Sequence, residues 1–415
     1  MPSSLARGAN RAFGWARDAW LMIGIMVLML LALEVCYRAQ AGVRKRMAGG
    51  AMSSAHPYAN APWFRRYMAE YDQTFRLRWK PYVYFRRPAF HGEFINVDSL
   101  GHRRTIPGPR SAADTVRVFV FGGSTMWGTH LRDSTTIPSV LATKLAAAAP
   151  TDVAFDVTNF GESGYVSTQG LLELQMQLRA GHLPDVVIFY DGINDVASAV
   201  QQREAGLPQN EFNRAREFDD GRAIYGSETG AGSEWRAAKV IGSAVVQRLQ
   251  VVQRFAAALR RGASAPPPAD LPRAIVDAYV ANVDVVEALR GRYGFRALYV
   301  WQPTLQTTAK VLTPYETLMR RESERDEFGK RLRATHVAVR PILDSAMTRR
   351  VGSRFVDEGA LFAGDTLDVF TDGIGHNTEK AIPRIVDGFY PLARAMADSA
   401  RRDAGAPRPQ RQRPR

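Results

Sequence analysis

The chain has 415 residues, of which 46% are hydrophobic and 10% aromatic, enough to bury a large core and to exclude disorder throughout. Its formal net charge of +14 comes largely from arginines scattered along the chain and gathered at both ends. No zinc-finger spacing, aromatic RNA-binding signature or basic heptad region accompanies that charge, so nucleic acid is not expected as a partner, and the single Cys36 excludes an intramolecular disulfide or a cysteine-based metal site.

The first predicted element is a membrane helix. From Ala19 to Leu33 no side chain is charged, and with Glu34 at the boundary the apolar run continues through Val35, Cys36 and Tyr37. Arg7, Arg11 and Arg17 precede it, and Trp15, Trp20 and Tyr37 stand where interfacial aromatics belong. Residues 1–18 are read as a cytoplasmic flank and 19–37 as a single-pass anchor in the cell membrane, with the rest of the chain periplasmic or otherwise extracytoplasmic. Two features keep alternatives open. Ala39-Gln-Ala41 has the small-residue pattern of a signal-peptidase site, and Arg38, Arg44, Lys45 and Arg46 nearly balance the positive charge across the segment.

Residues 38–115 form a lead-in rich in aromatic and basic side chains, including Trp63, Tyr67, Tyr71, Phe75, Trp79, Tyr82, Tyr84 and Phe85. Such a mixture suits a sugar-stacking or nucleic-acid surface; the expected role is packing on the domain that follows. Phe94 to Arg103 reads as a short strand and turn.

Five apolar runs then predict strands: Val116 to Phe121, Phe155 to Asn159, Val186 to Tyr190, Ala297 to Trp301 and Arg354 to Asp357. Helical periodicity lies between them at Ile137 to Ala149, Gln169 to Leu178 and Arg273 to Tyr293, and a last helix carries Ile382, Ile385, Val386, Phe389 and Leu392. This alternation predicts an α/β fold, a doubly wound parallel sheet whose ligand site lies beyond the carboxyl ends of the strands. The domain is bounded at 116–397. Around 200–271 it is interrupted by a polar, Gly-rich insertion with a helical piece near 234–261 and a Pro-rich linker, and 398–415 reads as a disordered basic tail.

Chemistry enters at the strand ends. The first run breaks at Gly122-Gly-Ser124, a turn that presents a hydroxyl; alone, it reads equally as a phosphate-binding loop or an ordinary βα connection. Phe160-Gly161-Glu-Ser-Gly164 and Asp191-Gly-Ile-Asn194-Asp195 follow the next two runs, and Asp372-Gly-Ile-Gly-His376 precedes the last helix. Each alone is turn and cap sequence. Taken in order, the four blocks resemble the SGNH family of GDSL-type esterases and lipases, over roughly Val116 to Ala397.

The resemblance implies a flavodoxin-like five-stranded sheet and a serine hydrolase with no metal or cofactor. Ser124 would be the nucleophile, His376 the general base and Asp372 the group that orients the imidazole; the amides of Ser124 and Gly161 and the side chain of Asn194 would form the oxyanion hole. Gly161 would leave room for the substrate carbonyl, and Asp195 would anchor its loop. The chain departs from the family's pattern in having Gly-Gly-Ser for Gly-Asp-Ser and in placing Asp372 four positions before His376 where three is usual. Gly373 and Gly375 can absorb the extra residue, and Asp368 and Asp365 are the other candidate orienters. His91, His102, His130 and His182 show no ligand spacing and are expected at the surface or in the core. The implied reaction is hydrolysis of an acyl ester, chiefly acetyl, on an envelope carbohydrate or related ester. With a sugar hydroxyl as acceptor the same triad gives an O-acetyltransferase, and a noncatalytic polysaccharide-binding protein on this scaffold is the alternative from another class.

Overall fold

The computed structural model describes residues 3–108, 112, 114–225, 239–240, 242, 249 and 268–404. It divides into two compact units, 1–55 with 213–266 and 56–212 with 267–415. In the first, helix α1 (Ser3–Ala55) contains a segment, Arg17–Gln40, long and apolar enough to cross a membrane. Its large side chains from Trp20 to Leu33 are almost all exposed, as a lipid-facing surface would be, although a signal sequence shares this length and composition. The charge at its boundary is paired: Arg38 Nε donates to Glu34 one turn back, at 2.7 Å. Most of the helical piece expected near 234–261, the Pro-rich linker and the tail beyond Ala404 lie outside the described residues.

The second unit opens with the lead-in. Helix α2 (Phe64–Thr74) is followed by two short hairpins, β1 (Arg78–Lys80) with β2 (Tyr84–Arg86), and β3 (Phe90–His91) with β4 (Asn96–Val97). Tyr67, Phe94, Ile95 and Val97 bury themselves with Trp127 of the main domain, so the lead-in packs on that domain as expected. A bridge from Arg103 to Asn159 continues it onto the sheet edge.

Five parallel strands follow: β5 (Asp114–Gly122), β6 (Val153–Asn159), β7 (Val186–Asp191), β8 (Arg296–Trp301) and β9 (Phe355–Asp357), in the spatial order β6-β5-β7-β8-β9. Side chains alternate across a strand, and in β5 both sets are buried. Val118 and Val120 pack with Ile188, Leu298 and Val300 under helices α4 (Ile137–Ala147) and α11 (Ile382–Ala404). Phe119 and Phe121 pack on the other face under α5 (Ser167–Arg179), α6 (Ile193–Gln202), α8 (Leu271–Tyr293) and α10 (Glu327–Val351). Burial on both faces explains the continuous apolar runs of the strands. The fold is α/β, doubly wound and flavodoxin-like. Its strand order reverses between β5 and β7, which opens a crevice at their carboxyl ends.

Two expectations need correction. Arg354 lies in a 3₁₀ turn just ahead of β9. Helix α11 runs on to Ala404, into the stretch expected to be a tail, because Ala397 and Ala400 are buried and Arg401 reaches Asp114 at 3.3 Å. Helices α9 (Pro314–Ser323) and α10, with α7 (Glu211–Tyr225) before them, had no clear apolar stripe to announce them. Helix α9 declares itself instead through Thr313, whose hydroxyl accepts from Glu316 N in a capping box beside Pro314.

Candidate active site

Ser124 is the first residue of a single-turn helix, α3 (Ser124–Trp127), that starts where β5 ends. His376 sits in the loop before α11, held by a bridge between Phe370 and Asn377 and by the Thr371 amide donating to His376 O at 2.8 Å. These two elements bring His376 Nε2 to 2.7 Å from Ser124 Oγ. On its other side, His376 Nδ1 makes a short hydrogen bond to Asp372 Oδ2.

Asp372 does more than meet the ring. Its Oδ1 accepts the backbone amides of Ile374 and Gly375 at 3.0 Å and that of His376 at 3.2 Å. The loop is therefore wound around the carboxylate, with Gly375 at φ +131°. Burial would raise the Asp372 carboxyl, but the charge and hydrogen bond of His376, with help from His130 and the Gly375 amide, outweigh it and hold the group well below the usual carboxylate range. The other candidate orienters lie elsewhere: Asp365 pairs with Arg384, and Asp368 accepts from Thr313.

Asn194 lies in the first turn of α6 at the end of β7, against the Gly123–Ser124 turn. A Cβ on Gly123 would fall 2.0 Å from Asn194 Nδ2. One Nδ2 proton goes to Tyr165 O at 2.9 Å, which leaves the second for another acceptor. The Ser124 amide is among the first of its helix, where no intrahelical acceptor exists. Gly161 differs from expectation. Its amide donates to Asn159 Oδ1 at 2.9 Å, and the space beside its Cα is occupied by α3, since a Cβ there would sit 2.7 Å from Trp127 N. Glycine at 161 thus permits its loop and α3 to touch. Asp195 anchors its loop, accepting Ser167 N at 3.0 Å and the Ser167 hydroxyl at 2.5 Å.

The arginines of the lead-in hold these loops. Arg86 donates to Phe160 O at 3.0 Å and to Glu173 at 2.9 Å, with both side chains buried. Arg87 bonds Glu162 at 3.1 Å and Ser163 Oγ at 2.6 Å while its guanidinium lies 3.8 Å from the centre of the Trp127 ring. Arg103 covers the same ring at 4.4 Å and binds Asp133 at 2.9 Å. Nothing in the local sequence distinguishes these arginines from surface cations; only their distant acids, Glu173, Glu162 and Asp133, reveal them.

His130 is the other residue that spacing did not expose. Its ring stands edge-on to His376 with centres 5.6 Å apart, and its Nδ1 is 2.8 Å from Thr371 Oγ1, which in turn donates to His376 O at 3.1 Å. Burial, aided by the nearby His376 and His56, lowers its pKa to about 4 against the pull of Asp372, so it is neutral near pH 7. Among the described residues, His130, Asp372 and His376 form one group whose ligand atoms all lie within 4.8 Å of one another, as a metal would need. Two of its three members are already joined to each other and to Ser124, an arrangement suited to moving a proton.

No protein-family model and no curated protein matches the sequence. Among solved structures, the chain is similar to a member of the lipolytic G-D-S-L family from Veillonella parvula, at 11% identity over 67% of this chain and 97% of that one, with a TM-score of 0.35. It is similar to an α/β hydrolase from the metagenome of Lake Arreo at 14% identity, over 69% and 98% of the two chains, with a TM-score of 0.35. An acetylxylan esterase from Geobacillus stearothermophilus matches at 13% identity, over 68% and 94%, with a TM-score of 0.34.

Proposed function

We propose that this chain is a membrane-tethered serine esterase that removes an acyl group from a carbohydrate or related ester. The observation that supports it most is the continuous contact from Asp372 through His376 to Ser124, with Nε2 2.7 Å from Oγ. In this reading Ser124 Oγ attacks the ester carbonyl carbon as His376 Nε2 takes its proton. The developing oxyanion is met by the Ser124 amide and the second Nδ2 proton of Asn194, and the Gly161 amide joins them by sharing its proton with Asn159. Collapse breaks the bond to the alcohol oxygen, which leaves with the proton from His376. A water then gives its proton to His376 and attacks the acyl-serine, which releases the carboxylic acid and restores Ser124.

The carbohydrate ester and the tether are carried by the sequence resemblance and by helix α1. The test is hydrolysis of p-nitrophenyl acetate and release of acetate from an acetylated oligosaccharide by the full chain in detergent. Turnover on both, lost in Ser124→Ala, is expected. Equal rates for wild type and Ser124→Ala would remove the proposal.

A further inference from the structure

The lead-in carries an exposed aromatic and basic surface, in which Phe75 also packs on Tyr71 and Arg87 and Trp79 packs on Tyr84. Phe75-Arg-Leu-Arg-Trp-Lys-Pro-Tyr82 runs through the first hairpin without an acidic residue. Trp79 is 70% exposed and Tyr82 63%, flanked by exposed Phe75 and Leu77. Leaving so many large apolar side chains together in water is costly at about 25 cal/mol per Å² and marks a surface built for another phase or partner. Between them stand Arg76, Arg78 and Lys80, none of which makes an ion pair among the described residues.

The backbone shows that this projection is built. Tyr82 and Tyr84 both have positive φ, 70° and 74°, a conformation rare for aromatic residues. Between them Val83 is fully buried, and its carbonyl accepts Gln169 Nε2 at 2.9 Å. Tyr84 Oη is 3.1 Å from Glu211, and the Phe85 carbonyl is bonded by Tyr165. The hairpin is thus rooted through Val83 and its second strand, while its first strand and Tyr82 stay exposed.

We infer that the Phe75–Tyr82 hairpin docks on the surface of an anionic lipid bilayer, with Trp79 and Tyr82 entering the interface and Arg76, Arg78 and Lys80 facing the lipid head groups. Amphipathic rings settle at head-group depth and adjoining cations are drawn to acidic lipids, so this composition fits a membrane surface. The inference rests on the reading of Arg17–Gln40 as a membrane span, which would tether the chain to a bilayer and make docking intramolecular.

The test uses the full chain reconstituted in phosphatidylcholine vesicles with and without phosphatidylglycerol. In wild type the only thiol, Cys36, reports the span: protection from a water-soluble maleimide is expected. In a Cys36→Ala background, a bimane on Leu77→Cys reports docking through quenching by a head-group nitroxide lipid. A bimane on Val337→Cys, exposed on helix α10 beside β9 at the opposite sheet edge, is the control. Strong quenching at position 77 but not 337, dependent on phosphatidylglycerol and lost when Arg76, Arg78 and Lys80 are all changed to Glu, is expected. Unchanged circular dichroism of that variant separates lost docking from misfolding. Protected Cys36 with no quenching at position 77 overturns the docking and leaves the anchor standing. Reactive Cys36 overturns the anchor and the docking with it. Absent quenching together with weaker oligosaccharide binding in Trp79→Ala would make the hairpin a sugar platform instead.

Discussion

Asp372 holds His376 with both of its carboxylate oxygens, one accepting the amides of the intervening loop and the other bonded to Nδ1. The acid therefore sets the position of the ring through the backbone as well as its tautomer through the side chain. In Asp372→Asn the side-chain carbonyl can still gather the loop amides, but its NH₂ then faces Nδ1 and favours a proton on Nε2, where Ser124 needs an acceptor. We expect kcat for an activated ester to fall by about 10²–10⁴-fold with KM little changed. Equal kcat in the two proteins would argue against an orienting acid at 372.

Gly375 tests the same loop without touching its charges. At φ +131°, with a Cβ that would sit 3.2 Å from Thr304 Cα, alanine there is both strained and crowded. Gly375→Ala should lower stability by about 1–3 kcal/mol in urea unfolding and reduce kcat through displacement of His376. An unchanged kcat would show that the ring position does not depend on this turn.

The proposed oxyanion donors separate by mutation. Asn194→Ala removes a side-chain donor beside the nucleophile turn and should cost about 10²–10³ in kcat with folding intact, measured on p-nitrophenyl acetate. Retained kcat would assign the oxyanion to backbone amides alone.

Arg87 and Glu162 are both buried, so neither charge can be left alone cheaply. Glu162→Gln should destabilise the unit by about 3–5 kcal/mol, because it strands the guanidinium beside Trp127. The loop that carries Gly161 loosens with it, so kcat should fall as well. A variant with native stability would mean that stacking on Trp127 suffices to hold Arg87.

Acid stability follows from two imidazoles, His336 fully buried and His130 partly buried. Burial lowers the pKa of His130 to about 4 and of His336 to about 3, against 6.5 for an exposed ring. Below pH 6.5 the unfolded chain binds protons at these sites that the native state refuses, so stability is fully present above 6.5 and falls as the pH drops toward 4. The slope is up to about 1.4 kcal/mol per pH unit for each ring. The depressed Asp372 adds a loss that begins only near the ordinary carboxylate range and continues below it. Urea unfolding from pH 7 to 4 should show this slope, and His336→Gln should reduce it by about one proton. A flat profile would contradict the burial of these rings in their neutral forms.

Most of the sheet was legible because its central strands are buried on both faces and β5 and β7 run straight into glycine, a pattern that survives without tertiary information. Ser124, Asn194 and His376 were legible only through the resemblance of the four ordered blocks; Ser124 and Asn194 lie just past β5 and β7, and His376 in the loop before α11. Helix α10 was not, since Arg331, Arg333 and Arg340 and an internal Pro341 blur its apolar period. Nor were the roles of Arg86, Arg87, Arg103 and His130. Their burial is decided by Glu173, Glu162, Asp133 and Thr371, partners far away in sequence, and side chains of this kind read locally as solvated surface. The glycine at 161 was legible as a constraint, but the contact that requires it is with Trp127 rather than with a substrate.

The central claim is that Ser124 is an activated nucleophile. A fluorophosphonate reacts far faster with such a serine than with an ordinary hydroxyl, so the decisive measurement is labelling of the intact chain followed by mass spectrometry of its peptides. The account predicts stoichiometric modification at Ser124, abolished in Ser124→Ala and strongly slowed in His376→Ala. Absence of label on Ser124 in folded protein, or labelling at the same rate without His376, would contradict it.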